Sequence, residues 1–496
     1  DKAESLVQKD KVISTLRANL AAASQSSIQQ LADYVMKAAK KVFLTLVFTD
    51  TIKHIDKLQR DGFGDNDLPV YSNSSPNNSN IHEVRSLESN ALQNGFADWS
   101  LREVDSFCQQ QWVFLAPVFQ EDKFVYTLYK GQPLPFIPAE KPRGYSGRFG
   151  TVQKLRLYPT HYQRASTPKK GADDKIGRAF DVALKRLGPQ NPETERFYKK
   201  EMDTLSVMRG LDNRHLIKAI ATFSLGSERY FLFPWADGGN LQEMLKNDER
   251  GLDRELVSWA LSQALGLSSG ISQLNGLKIR HGDIKPSNIV CFGSPTGPTL
   301  VITDVGLAKH HKEDTRDRIN STTTRHGSMA YEPPEVTPKS GKVILSTKRY
   351  DVWSLGCVCL ELIIWLVYGR ASLGLFHKAL NRDPTNCKFW MDHAVWGRKK
   401  HVVVKKWLKK LKGDLKEASA LHDVVKLIEK KLLVLADDRA DSKSLYNTLE
   451  SIAKKASQSP QYLFDAGIEK LASKRKTLML GDPADEDLLI SLSSSF

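Results

Sequence analysis

His281-Gly-Asp283-Ile-Lys285-Pro-Ser-Asn288 is the stretch on which the reading of this chain turns. It sets a carboxylate, an ammonium and a carboxamide within eight residues, around a proline that interrupts regular structure. Sixteen residues past Asn288 stands Asp304-Val-Gly306, with the strand-like run Thr299–Thr303 between. An Asp and an Asn at that separation are common in loops. A second Asp that follows a strand makes the set specific, with an amide at Asn288 and a carboxylate at Asp304.

Reading outward, each flank adds a piece. Upstream lie the glycine-rich turn Gly147-x-x-Gly150-x-Val152 and then Val182-Ala-Leu-Lys185. Glycine has no Cβ, so backbone N–H groups in such a turn can approach phosphates closely. Lys185 needs a carboxylate to hold it. Glu201 is the candidate, because Glu201, Leu205 and Met208 share one helical face, whereas Glu193 and Glu195 fall too close to the strand. Arg229–Gly239 reads as a strand ending in a turn, with Phe233, Trp235 and Ala236 at its end. Downstream come Gly327-Ser-Met-Ala-Tyr-Glu-Pro-Pro-Glu335, Asp351-Val-Trp-Ser-Leu-Gly356 and Asp437-Asp-Arg439.

In order and spacing, over roughly 210 residues, this series resembles the signature set of the eukaryotic-type Ser/Thr protein kinase family. The resemblance implies an α+β, bilobal protein-kinase fold over about residues 140–455, preceded by a mainly helical region at 1–130 and followed by a tail at 456–496. It implies a small lobe built on a twisted antiparallel sheet and a largely helical large lobe. It implies ATP and Mg²⁺ as cofactors and a protein Ser or Thr hydroxyl as acceptor. By the same resemblance Asp283 orients the acceptor hydroxyl, Lys285 steadies the transferring phosphoryl group, and Lys185, paired with Glu201, holds the α- and β-phosphates. Asn288 and Asp304 hold the metal. Gly147, Gly150 and Val152 cover the nucleotide, Phe233 is the gatekeeper, and Trp235 or Ala236 donates to the adenine edge because Pro234 has no N–H. Glu335 pairs with Arg439, and Asp351 accepts from backbone N–H groups of the loop at 281–288, a role that a helix N-cap at the same residue could accompany.

Three departures qualify the resemblance. The first glycine position of the turn is Tyr145, with Gly144 one place early. The family's His-Arg-Asp is His281-Gly282-Asp283, so no guanidinium is present there for a phosphate on Ser321, Thr322, Thr323 or Thr324, although Arg325 and His326 could substitute. The family's Asp-Phe-Gly is Asp304-Val305-Gly306. Two other readings stay open. One is a pseudokinase or scaffold that binds nucleotide with little transfer. The other is a small-molecule phosphotransferase, which the Glu335, Asp351 and Arg439 motifs speak against. Lys285-Pro286 favours Ser/Thr over Tyr acceptors.

Composition bounds the rest. The chain has 496 residues, 41% of them hydrophobic, with nine Trp, enough for two or three domains. Its five cysteines form no CxxC pair, which suits a reducing compartment, cytoplasmic or nuclear. A formal charge of +15 favours acidic partners such as nucleic acid, anionic lipid or acidic protein segments. The densest basic cluster, Arg398–Lys412, reads as an amphipathic helix. Val42–Phe48 and Leu355–Tyr368 fall short of the roughly 18 residues a membrane span needs, and no signal peptide is seen. The chain starts at Asp1 without Met, which suggests a trimmed fragment.

Residues 1–60 read as helical, with Leu6, Ile13 and Leu20 at near-heptad intervals and Ile28, Leu31 and Val35 beyond. That spacing suits a self-folded bundle, self-association or a partner helix. Ser72–Asn80 reads as a polar linker, and Tyr158–Arg178 as a surface hairpin inserted between strands. The run Gln111–Phe119 resembles segments preceding the kinase domain in fungal proteins.

Overall fold

In the computed structural model the described residues are 7–74, 82–139, 144–147, 150–164, 179–188, 191–293, 297–305, 309–310, 329–336, 349–382, 388–393 and 397–479. The chain divides into two units: Asp1–Gln190 with Ile220–Pro234, and Asn191–Ala219 with Trp235–Phe496.

The first unit begins with a helical domain. Helices α1 (Lys9–Asn19), α2 (Gln25–Ala38), α3 (Lys40–Phe48) and α4 (Ile55–Arg60) precede a hairpin of β1 (Val70–Ser74) and β2 (His82–Ser86), then α5 (Leu101–Gln110). Ser24 starts α2 by accepting the Ser27 N–H, and Ser100 and Glu103 form a reciprocal cap on α5. Of the near-heptad apolar residues, Ile28, Leu31 and Val35 are buried with Val12, Leu16, Phe63, Phe96, Trp99 and Phe107 in one core, and Ile13 and Leu20 are partly buried against it. Phe96 and Phe107 meet edge-to-face at 5.2 Å, a favoured aromatic geometry. Leu6 lies outside the described residues.

A sheet follows, built from β4 (Val125–Leu128), β5 (Phe136–Pro138), β6 (Gly144–Gly147), β7 (Gly150–Leu157), β9 (Phe180–Leu187), β10 (Ala221–Leu225) and β11 (Glu228–Pro234). Its order is β4-β10-β11-β9-β7-β5, with β6 also on β7. All pairs are antiparallel except β4 with β10, which run parallel with Thr222 opposite Val125. The boundary expected at 130–140 therefore cuts through this sheet. Parallel pairing joins segments far apart in sequence, so nothing local announces it. The short strand β3 (Phe119–Gln120) pairs parallel with β8 (Tyr162–Gln163), so the insert after β7 is partly tied down rather than a free hairpin. Residues 165–178 of that insert lie outside the described residues. Phe119 is fully buried among the rings of Tyr126, Phe136 and Phe223, at 5.2, 6.2 and 5.9 Å.

The second unit is mainly helical. It holds α6 (Pro192–Arg209), α7 (Leu241–Asn247), α8 (Arg254–Gly276), α9 (Tyr350–Leu380), α10 (Val402–Asp414), α11 (Ala420–Leu427) and α12 (Ser442–Gln458). Short pairs β12 (Ile279–Arg280) with β15 (Lys309–His310), β13 (Ile289–Phe292) with β14 (Thr299–Ile302), and β16 (Trp390–His393) with β17 (Gly397–Lys400) sit among them. The span Tyr350–Leu380 labelled α9 is two helical stretches that meet at a kink at Gly369, where φ is 83° and ψ 178°, so the first stretch ends where the apolar run Leu355–Tyr368 does. By length and composition it could cross a membrane, but 94% of its most apolar window is buried inside the fold. Glu361, which interrupts that apolar run, accepts hydrogen bonds from Tyr331 and His377, both at 2.9 Å.

Two expectations are corrected here. The basic cluster at 398–412 is not one helix: Gly397–Lys400 is a strand, and α10 starts at Val402, with His401 accepting the Val403 N–H at 3.2 Å. Residues past Lys455 do not begin as a tail. Helix α12 runs to Gln458, and α13 (Pro460–Leu463) and α14 (Ala466–Met479) follow. Ile468 and Arg475 are buried, and Arg475 donates to the carbonyls of Leu366 and Arg250. The sequence then runs into an acidic stretch, Asp482-Pro-Ala-Asp-Glu-Asp487, which lies outside the described residues.

Candidate active site

Alternation along β9 places Lys185. Val182 and Leu184 point into the core, so Ala183 and Lys185 take the opposite face. Register sets Lys185 against Val152 of β7 and Phe231 of β11, with the ammonium 6.0 Å from the Phe231 ring centre. Gly147 pairs with Gly150 to close the β6–β7 turn. At Gly150 φ is 147°, and an added Cβ would lie 1.9 Å from the Arg186 carbonyl, so only glycine fits. Phe233 is buried opposite Ala183 at the end of β11. The division between the two units falls between Pro234 and Trp235, within the turn read from the sequence.

In the second unit, Asn191 caps α6 and presents Glu201 on a face with Tyr198, Leu205 and Met208. Glu201 is fully buried, a position a carboxylate tolerates only with partners. Glu193 and Glu195 lie in the first turn of the helix.

The loop between β12 and β13 is fixed from both ends. Asp351, fully buried in the first turn of α9, accepts the N–H groups of His281 and Gly282, each at 2.9 Å. It is not the cap of that helix, since Arg349 occupies the N-cap position. Gly282 has φ 82°, a left-handed conformation that glycine adopts without strain. His281 donates through Nε2 to the Thr303 carbonyl at 3.0 Å, which leaves Nδ1 to accept the Asp283 N–H at 3.3 Å. Asp283 is 8% exposed, and its Oδ2 receives both Lys285 Nζ and Asn288 Nδ2 at 2.8 Å. Because Asn288 donates through its nitrogen, its Oδ1 is turned away as an acceptor. The Thr303 N–H bonds the Asn288 carbonyl at 2.9 Å, which ties this loop to the strand leading to Asp304. Asp304 has φ 63°, rare for a side-chain-bearing residue and found where surrounding structure enforces it. Val305 is 1% exposed. Gly306, Ser328 and the stretch Ser321–His326 lie outside the described residues.

Further along, Glu335 and Arg439 form a bidentate pair at 2.6 and 2.9 Å. The guanidinium stacks 5.0 Å from the Trp353 ring centre and also donates to the carbonyls of Val434 and Arg349. The sequence reading missed the β16–β17 hairpin, which grips the segment Met329–Val336. Trp390 Nε1 donates to the Glu332 carbonyl at 2.9 Å, Arg398 donates to the Pro334 carbonyl, and the Phe389 ring lies 5.6 Å from Tyr331. The adjacent aromatics Phe389-Trp390 ahead of Gly397 were the available signal.

Residues 173–392 match the family described as protein kinase domain. The chain carries a eukaryotic-type protein kinase domain. Stretches of it are 29% identical over 184 residues to the serine/threonine-protein kinase chk-2 of Caenorhabditis elegans, covering 36% of this chain and 36% of that protein. It is 29% identical over 243 residues to the proline-rich receptor-like protein kinase PERK1 of Arabidopsis thaliana, covering 46% and 35%. It is 24% identical over 220 residues to the human serine/threonine-protein kinase tousled-like 1, covering 41% and 28%. The chain spans about a third of the length of these curated relatives.

A protein kinase domain implies ATP and a divalent metal. Among the described residues no group of three or more His, Cys, Asp or Glu could hold a metal, so a soft or closed metal centre does not fit there. One amide oxygen and one carboxylate, Asn288 and Asp304, do fit a hard cation that takes few protein ligands and completes its shell with phosphates and water.

Proposed function

We propose that the chain transfers the γ-phosphoryl group of Mg-ATP to Ser or Thr hydroxyls of proteins. The observation that carries this reading is the convergence of Lys285 and Asn288 on one oxygen of Asp283. That arrangement fixes the Asp283 carboxylate, which would orient an acceptor hydroxyl, and keeps an ammonium beside the position of a transferring phosphoryl group. Lys185 would hold the α- and β-phosphates, with Glu201 as the carboxylate that positions it. Gly147, Gly150 and Val152 would cover the nucleotide, and Phe233, Trp235 and Ala236 would meet the adenine. Asn288 and Asp304 would hold Mg²⁺, which neutralises charge on the phosphates when bound. The Lys285-Pro286 sequence supports Ser/Thr over Tyr acceptors.

A scaffold reading rests on Tyr145 in the glycine-rich turn and Gly282 in the loop. Gly282 argues weakly for it, since the loop keeps its hydrogen bonds to Asp351 without the arginine. The test is phosphoryl transfer from radiolabelled ATP to generic acidic and basic protein acceptors, beside Asp283→Asn and Lys185→Met. Each variant is expected to lose on the order of 10²-fold or more in rate. Undiminished transfer in either would sink the assignment, and nucleotide binding that ignores EDTA would sink its metal part.

A further inference from the structure

The second unit carries a basic groove whose lining does not include Asp283. Strand β17 contributes Lys399 and Lys400, α10 contributes Lys405, and the turn Ile428–Leu432 contributes Lys430 and Lys431. Two cavities of about 260 and 610 Å³ adjoin there and share Lys400, Val434 and Asp438 as walls. Their linings hold six cations, counting Arg398, against three carboxylates, Glu429, Asp437 and Asp438. Glu429 is already engaged by Lys412, at 2.8 and 2.7 Å. Lys399, Lys405, Lys430 and Lys431 make no ion pair among the described residues. Positive charge is therefore in excess, though Asp437 and Asp438 also line the groove and Arg398 pairs with Asp392 at 3.5 Å. Lys400 registers this, for burial pushes its ammonium below the usual lysine range, Glu429 opposes that, and Lys405, Lys430 and Lys412 add to it.

The groove is not purely polar. Pro334, Val434 and Leu435 line it, and Leu435 is 51% exposed. The aromatic in the lining, Trp353, is 1% exposed, so it offers no ring face for stacking a nucleic-acid base. Position matters as well. Pro334 belongs to the segment that the β16–β17 hairpin holds, and the same hairpin supplies Lys399 and Lys400.

We propose that this groove docks an acidic segment of the protein substrate, rich in Asp and Glu and carrying an apolar side chain for Leu435. In calling the docked protein a substrate, the inference rests on the kinase reading above. Exposed lysines around one groove would give affinity that falls with salt and a faster encounter more than a rigid fit. Acceptors bearing such a segment would gain in KM rather than kcat.

The test is fluorescence anisotropy on the full chain with three probes: a labelled Asp/Glu/Leu peptide, its Asn/Gln/Leu counterpart, and a single-stranded DNA oligonucleotide of equal charge. Lys405, Lys430 and Lys431 are exposed, so the triple reversal K405E/K430E/K431E is expected to melt like the parent. It should weaken acidic-peptide binding at least about tenfold, about 1.4 kcal/mol, with K405A/K430A/K431A between. The Asn/Gln/Leu peptide should bind poorly to all. Equal affinity of parent and triple variants for the acidic peptide overturns the proposal. So does preferred binding of the oligonucleotide that the same variants abolish. Binding is read without turnover, so Asp283→Asn should keep it. If transfer proves independent of Asp283 while the lysines still control binding, the kinase reading fails and the groove stands. The reverse pattern removes the groove alone.

Discussion

Glu335→Gln tests the most deeply buried charge pair described here. The Arg439 side chain is 0% exposed and that of Glu335 10%, and they meet through two bonds at 2.6 and 2.9 Å. The amide keeps the shape and one acceptor but leaves the guanidinium without its countercharge. Removing one partner of a buried pair costs about 3–5 kcal/mol. Arg439 keeps its bonds to the Val434 and Arg349 carbonyls, at 2.9 to 3.2 Å, which places the expected loss near the lower end of that range. At about 2 °C per kcal/mol for a large domain, the melting temperature should fall by roughly 6 °C. Thermal unfolding followed by tryptophan fluorescence reads it, because Trp353 lies against the guanidinium. Hydrogen exchange should rise in Met329–Val336, the segment Glu335 anchors. The double variant Glu335→Gln/Arg439→Met should recover part of the loss, since an apolar pair leaves no stranded charge. A Glu335→Gln protein melting within about 1 °C of the parent, well under 1 kcal/mol on that scale, would refute the reasoning.

Three further outcomes are expected. Phosphatase treatment should lower transfer by less than about tenfold, because Gly282 offers no guanidinium to a loop phosphate and the β16–β17 hairpin holds Met329–Val336 without one; a larger drop in a radiolabel assay contradicts this. A chain starting at Ala116 should stay soluble with transfer within about tenfold of the full chain, whereas one starting at Gly131 loses β3 and β4, bares the edge of β10 and should aggregate in light scattering; equal behaviour of the two would remove those strands from the fold's requirements. Glu103 is held at about 2, below its ordinary 4.5, by the Lys53 hydrogen bond first, with burial opposing and Ser100 and His54 assisting. A depressed carboxyl stabilises above its unfolded value, so the helical domain should lose stability as pH falls from 4.5 towards 2, and a melting series in which Glu103→Gln shows the same loss would contradict that.

What the sequence revealed follows from how locally each feature is encoded. The loop 281–288 was legible because its hydrogen bonds close within a few residues, Lys285 and Asn288 both returning to Asp283. The strand position of Lys185 was legible from the Val182-Ala-Leu-Lys185 motif, and the buried helical face of Glu201 from the spacing of Leu205 and Met208. The pairing of β4 with β10 was not, since its partners lie 97 residues apart in register, Val125 with Thr222. The β16–β17 hairpin was hidden for a different reason: Arg398, Lys399 and Lys400 run directly into the helical pattern of Val403, Trp407 and Leu411, and the helical period swallowed the strand. The span from Pro460 to Met479 looked like a tail because α14 has only a weak apolar face, and it is secured by Arg475 through backbone carbonyls rather than by an apolar stripe.

Strands β4 and β5 lie at opposite ends of the sheet order, yet only Tyr129–Pro135 separates them in the chain. In a flat sheet five spacings of about 4.8 Å, or about 24 Å, would divide them. Eight residue steps reach at most about 28 Å when fully drawn out, and part of that is spent in a turn where the Gln132 N–H meets the Tyr129 carbonyl at 2.9 Å. The sheet must therefore curl until its two margins draw near, and the Phe119 ring touches both Tyr126 of β4 and Phe136 of β5. Residues 129–135 act as a girdle. They lie outside residues 173–392, the span that matches the protein kinase domain family. Slack introduced by a flexible insertion at Gly131 would loosen both margins at once, a mechanical coupling that no hairpin within the sheet could provide.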